Sequence, residues 1–127
     1  MSKGEIAKSN YQSGLNCAQA VAVSFKEELN LDEITIKKLI VGFGGGFGKQ
    51  RLVCGAVSGM TMVLGYLNSD TKNKLEIYAI IKEACDKVKE KLGSIICADL
   101  IGEKKIPCAD ICQIVADITA EMIEKSK

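Results

Sequence analysis

Histidine and tryptophan are absent from this chain, proline occurs once, and three Phe and three Tyr supply all its aromatic surface. Without histidine there is no Ser/His or Cys/His dyad, no usual general base near neutral pH and no mixed His/Cys zinc site. The six cysteines include no C-x-x-C pair, so neither a zinc-knuckle nor a ferredoxin spacing is present. A charge bias is missing as well. Seventeen Lys+Arg against sixteen Asp+Glu leave a net charge of +1, which gives no electrostatic case for nucleic acid or a membrane surface. The lysines of residues 82–91 are interleaved with Glu83, Asp86 and Glu90, the pattern of a solvated helix face. The uncharged apolar stretch Leu52–Leu67 is shorter than the roughly 20 residues of a membrane span. The opening MSKGEIAKSNYQ carries no apolar segment, so no secretory leader is expected. The expected setting is the cytoplasm, where thiols stay reduced and six cysteines point to metal binding or redox chemistry rather than a disulfide framework.

What is abundant is glycine in one place. Seven of twelve glycines lie in GFGGGFGKQRLVCGAVSG, residues 42–59. Neither nucleotide-binding spacing fits it. A P-loop needs glycine five residues before Gly48, where Phe43 stands, and a hydroxyl after Lys49, where Gln50 stands. The dinucleotide pattern G-x-G-x-x-G ends on Phe47, Lys49 or Arg51 from its three possible starts. Both motifs also require a preceding strand, whereas Ile36, Leu39, Ile40 and Phe43 recur at helical spacing. No nucleotide site is expected, and the glycines are read as serving the cysteine beside them.

At 127 residues, 47% hydrophobic and 26% charged, the chain is expected to be one soluble domain, 1–127. Helical signals dominate and no convincing strand is found. A first helix is expected over about 3–12, ended by Gly14, and a second over about 17–29, capped by Asn16 with Gln19 three residues on. Asp32 caps a third that ends at the glycines. Cys54–Leu67 carries no charge and reads as a buried central helix, with Gly55 and Gly59 on one face to admit a neighbour closely. An amphipathic helix follows from about Thr71 to Leu92, with a core stripe of Ile77, Ile81, Ala84, Cys85, Val88 and Leu92. The segment SIICADLIG leads to Pro107, read as the first residue of a last helix over 107–125. The fold expected is an all-α compact bundle of five to six helices, with a glycine-rich loop before a buried central helix.

The cysteines separate by their neighbours. Cys17, Cys54, Cys97 and Cys108 are each followed by Ala or Gly, which leaves local N–H groups open to hydrogen-bond a sulfur. Cys17, Cys54 and Cys108 also fall in the first turn of an expected helix, where free N–H groups and the helix dipole stabilise a thiolate. Cys85 sits on a core stripe and reads as a small hydrophobe. Cys112, one turn beyond Cys108, reads as core too, although its thiol could reach the same site.

NCAQAV at 16–21, GFGGGFG at 42–48, CGAVSG at 54–59, CADL at 97–100 and a cysteine opening the last helix resemble, in order and approximate spacing, the C_GCAxxG_C_C family of redox-active proteins. The family's four cysteines fall on Cys17, Cys54, Cys97 and Cys108. Ala98 stands where the family often has a basic residue, and Cys112 adds a thiol that could substitute for Cys108 as last ligand. The family is similar to the C-terminal part of split-Soret cytochromes, which carries an iron–sulfur centre; without C-x-x-C-H no haem is expected here.

Four thiolates suffice for a cluster. The leading expectation is a cytoplasmic electron carrier rather than a stand-alone enzyme, with no catalytic residues of its own. Cys17, Cys54, Cys97 and Cys108 would hold an iron–sulfur cluster, [2Fe–2S] favoured over [4Fe–4S], and backbone around Gly45, Gly46 and Gly55 would lie against it. Its partner would be a larger oxidoreductase or another redox protein, and a homo-oligomer is compatible with the sequence. Two alternatives stay open: thiol–disulfide exchange through a cysteine pair, and a metal-free or zinc-stabilised helical adaptor.

Overall fold

The computed structural model describes residues 1–126. Among these the chain forms α1 (Lys3–Gln12), α2 (Cys17–Val23), α3 (Lys26–Leu29), α4 (Glu33–Ile40), α5 (Gly44–Phe47), α6 (Gly55–Asn68), α7 (Lys74–Leu92) and α8 (Cys108–Lys125). No strand occurs among the described residues. The protein is an all-α bundle in which a glycine-rich loop precedes a buried central helix, α6. Six of the helices are those legible in the sequence; α3 and α5 are single turns.

The helix starts follow from local chemistry. Ser2 with Glu5, Asn16 with Gln19 and Asn73 with Glu76 form reciprocal capping boxes on α1, α2 and α7, and Asp32 accepts from the Thr35 N–H at 2.7 Å to start α4. The helix expected over 17–29 breaks at Ser24. There the Ser24 and Phe25 N–H groups bond back three residues to Val21 and Ala22, and the Ser24 hydroxyl donates to the Val21 carbonyl at 2.6 Å. That tightening ends α2 one turn before α3.

Packing then sets α2 against α6. A side chain at Gly59 would put its Cβ 2.9 Å from the Ala18 carbonyl oxygen, and one at Gly55 would lie 3.3 Å from the Cys17 Cβ. The two glycines therefore give α6 the close approach expected of them, and Val57, Met60, Val63 and Leu64 fill the centre beside it. Helix α8 crosses the same core through Ile111, Val115 and Met122, and it is tied to α1 by the Gly4 N–H donating to Asp117 at 2.8 Å and by a Lys8–Asp110 ion pair at 3.1 Å. On α7 only Ala84, Val88 and Leu92 are buried; Ile77, Ile81 and Cys85 are half-buried, so that helix presses on the bundle mainly through its C-terminal half. The helical stripe before the glycines is likewise narrower than its spacing suggests: Ile36 and Ile40 are buried, but Leu39 is 61% exposed and Phe43 38%.

The connection after the glycines carries the one feature no helical pattern announces. Residues 51–54 run antiparallel to residues 95–98. The Cys54 N–H donates to the Ile95 carbonyl at 2.8 Å and the Cys97 N–H to the Leu52 carbonyl at 2.6 Å, around an isolated bridge between Val53 and Ile96. Residues 97–98 are helical and run on into a π-turn over Asp99–Glu103.

Candidate redox centre

Four cysteines stand at the start of helical segments. Cys17 opens α2 and Cys97 the turn before Asp99. Cys54 is the residue that caps α6, not one inside its first turn, and Cys108 is the first residue of α8 with Pro107 as its cap. The bridge pairing puts Cys54 and Cys97 on the same face as diagonal neighbours, a relation that sets residues roughly 7–8 Å apart. Both are buried, at 3% and 6% exposure, while Cys17 and Cys108 are half-buried.

These four form a closed ring of neighbours. Cys54 feels the charge of Cys17 and of Cys97; Cys108 likewise feels Cys17 and Cys97. Each also has a donor of its own from the protein. The Gly45 N–H acts on Cys17, the Ala56 and Val57 N–H groups at the start of α6 on Cys54, and the Tyr11 hydroxyl on Cys108. The Arg51 guanidinium lies 3.7 Å from the Cys97 sulfur. Cys85 has no such partner: burial dominates its environment and pushes its thiol up, and only Lys89 and Asp86 add to that.

Cys112 joins the group from below. It is fully buried on α8, one turn after Cys108, with its sulfur 3.9 Å from the Cys17 carbonyl oxygen and its proton within reach of the Cys17 sulfur. That hydrogen bond is the largest influence on Cys17 and brings its pKa down to about 7. Burial works in the opposite direction, and the Cys108 thiol and the N–H groups of Cys17 and Gly45 reinforce the lowering. Cys112 is correspondingly pushed up, by its bond to Cys17 and then by burial, so it keeps its proton. Burial first of all pushes Cys54 up to about 12, and the bond to Cys108 raises Tyr11 to about 12. The Cys17 thiolate is thus the anionic sulfur of the group, with Cys112 and Cys108 donating into it.

The glycine loop serves this arrangement. Gly45 and Gly46 have φ of +67° and +73°, a region open to glycine at little cost. Gly45 turns its N–H to Cys17, and a Cβ on Gly46 would sit 2.7 Å from the Leu52 nitrogen and 2.9 Å from the Cys97 Cβ. The loop is closed by the N–H groups of Lys49, Arg51 and Leu52, which donate back to the carbonyls of Gly44, Gly45 and Gly46. Sequence reasoning missed Tyr11 and Arg51. Tyr11 lies at the exposed end of α1 with no motif about it, and Arg51 reaches Cys97 only because the 51–54 and 95–98 segments pair.

The thiols are spread around the ring and not gathered at a point: among the described residues no three Cys, Asp or Glu are placed to hold a single metal ion. The donor chemistry fits a cluster better than one ion. All four ring groups are sulfur, and each carries a hydrogen-bond donor of the kind that tunes cluster potential.

A helical bundle whose one concentration of chemistry is a ring of cysteines defines a thiol-based redox protein. Residues 15–122 match the family described as "Putative redox-active protein (C_GCAxxG_C_C)", and the chain belongs to that family. No curated protein and no solved structure matches it. No helix among the described residues is long and apolar enough to cross a membrane.

Proposed function

We propose that this protein transfers electrons through an iron–sulfur cluster held by Cys17, Cys54, Cys97 and Cys108. The observation that carries the reading is the pairing of each of these four sulfurs with its own protein donor, a feature Cys85 lacks. The ring divides into a half-buried pair, Cys17 and Cys108, and a buried pair, Cys54 and Cys97, which favours two irons, a [2Fe–2S] centre, over four. When bound, such a cluster supplies one-electron transfer. The chain supplies the rest. Its amides and Arg51 stabilise the added negative charge of the reduced state, Gly46 and Gly55 let the cysteine-bearing segments close up, and Cys112 holds a proton on Cys17. The half-buried side would face a larger oxidoreductase or another redox protein in the cytoplasm. Protein purified without oxygen should be coloured and contain iron and sulfide in equal amounts, two of each per chain for [2Fe–2S]. A colourless, iron-free protein from cells making iron–sulfur proteins normally would overturn this reading.

The Cys112–Cys17 contact supports a second reading, thiol–disulfide exchange. The Cys17 thiolate would attack a substrate disulfide and expel one substrate thiolate. Cys112, giving up its proton, would then attack the mixed disulfide, so that the substrate is reduced by two electrons and a Cys17–Cys112 disulfide forms. In that case the purified protein is colourless and oxidant joins Cys17 to Cys112.

A further inference from the structure

A cavity of about 790 Å³ opens above Cys17 and Cys108, near the upper end of the range for small-molecule sites. Its charged lining is one-sided. Lys49, Arg51 and Lys105 stand around it and no acidic side chain does, although the chain as a whole carries seventeen basic and sixteen acidic residues. Among the described residues none of the three is paired with a carboxylate: Arg51 touches the Cys97 sulfur, and the seven ion pairs of the protein lie elsewhere. The opposite wall is apolar, built by Leu15, Ile101 and Ile106.

The cations are also fixed in place. All three have left-handed backbone, with φ of +66°, +63° and +53°, which side-chain-bearing residues adopt only where their surroundings hold them. For Lys49 and Arg51 the hold is the set of N–H bonds back to Gly44 and Gly45. For Lys105 it is the flanking pair in which the Lys104 and Ile106 N–H groups donate to Asp99 and Leu100, at 2.9 and 2.8 Å. A preformed concave site with unpaired cations on one side and an aliphatic wall on the other matches an amphipathic anion. A flat docking patch for an acidic protein would carry its charge on an open face.

We propose that this cavity binds a small organic anion whose carboxylate or phosphate groups meet Lys49, Arg51 and Lys105 and whose apolar body lies on Leu15, Ile101 and Ile106, within reach of Cys17 and Cys108. The binding stands by itself; that the bound molecule exchanges electrons with the thiol centre rests on the function proposed above. Calorimetric titration of the protein as isolated, with phthalate and with phenyl phosphate, tests it. At least one should bind one to one, and dimethyl phthalate, which keeps the ring and loses both charges, should bind at least about tenfold more weakly than phthalate. The Lys49→Gln/Lys105→Gln variant should weaken the anion at least about tenfold, whereas Lys38→Gln/Lys89→Gln, the same loss of charge outside the cavity, should leave it unchanged. Absence of saturable heat from both anions at millimolar concentration, equal affinity for the neutral ester, or equal weakening by the two variants would overturn the proposal. So would tighter binding of a Glu-rich peptide than of either small anion, which would make the surface a protein dock. None of these results depends on whether the protein is coloured, so a failed anion site and a failed cluster are told apart.

Discussion

The buried Cys112 thiol hydrogen-bonds to Cys17 from beneath, its sulfur 3.9 Å from the Cys17 carbonyl oxygen, and this contact does most to hold Cys17 as a thiolate. It joins a residue that reads as core in the sequence to the most reactive sulfur in the protein. In metal-free, reduced protein the alkylation of Cys17 by iodoacetamide should rise with pH through about 7, two units below the ordinary thiol value of 9.0. In Cys112→Ala the largest lowering influence is gone, so the midpoint should move up towards 9.0. The substitution should cost about 1–2 kcal/mol of stability, as a small change in a packed core does. An unchanged midpoint would show that Cys112 does not set the Cys17 charge.

Cys85 makes the opposite case. It is half-buried on α7 with no other cysteine acting on it. Cys85→Ala should leave colour, iron content and reduction potential as they are, and reduce stability by about 1 kcal/mol in urea unfolding. Loss of the chromophore in that variant would bring α7 into the site.

The loop prediction uses two glycines of similar backbone and different surroundings. Gly45 and Gly48 have φ of +67° and +62°, but only Gly45 directs its N–H to a site sulfur. Gly45→Val and Gly48→Ala should each cost about 1–2 kcal/mol for the left-handed backbone. Only Gly45→Val should shift the reduction potential of the loaded protein, to lower values, because a donor that stabilises the reduced state is disturbed. Equal potentials in the two variants would reduce the loop to architecture.

Much of this was legible in the chain because the signals are local. Asn16–Gln19 and Asp32 mark their helix starts, the charge-free run from Cys54 marks the central helix, and Gly55 and Gly59 mark the face that admits α2. The small residues after Cys17, Cys54, Cys97 and Cys108 single out the four thiols that the fold brings into one ring. What was not legible depends on long-range contact. The break at Ser24 comes from three-residue hydrogen bonds that compete evenly with helix continuation. The pairing of 51–54 with 95–98 involves too few residues to leave an alternating pattern, yet it places Cys54 beside Cys97 and carries Arg51 to that sulfur. The role of Cys112 was half visible: its spacing from Cys108 allowed contact, but its direction towards Cys17 is set by how α8 crosses α2.

The central claim is that four particular sulfurs, and not six, hold the redox centre. Iron and sulfide content, measured across the six single Cys→Ser variants purified without oxygen, tests it most directly. Cys17→Ser, Cys54→Ser, Cys97→Ser and Cys108→Ser should each lose most of the iron and the visible absorption, while Cys85→Ser and Cys112→Ser should keep both. Retention of a full complement by any of the first four, or its loss in Cys112→Ser with retention in Cys108→Ser, would contradict the assignment.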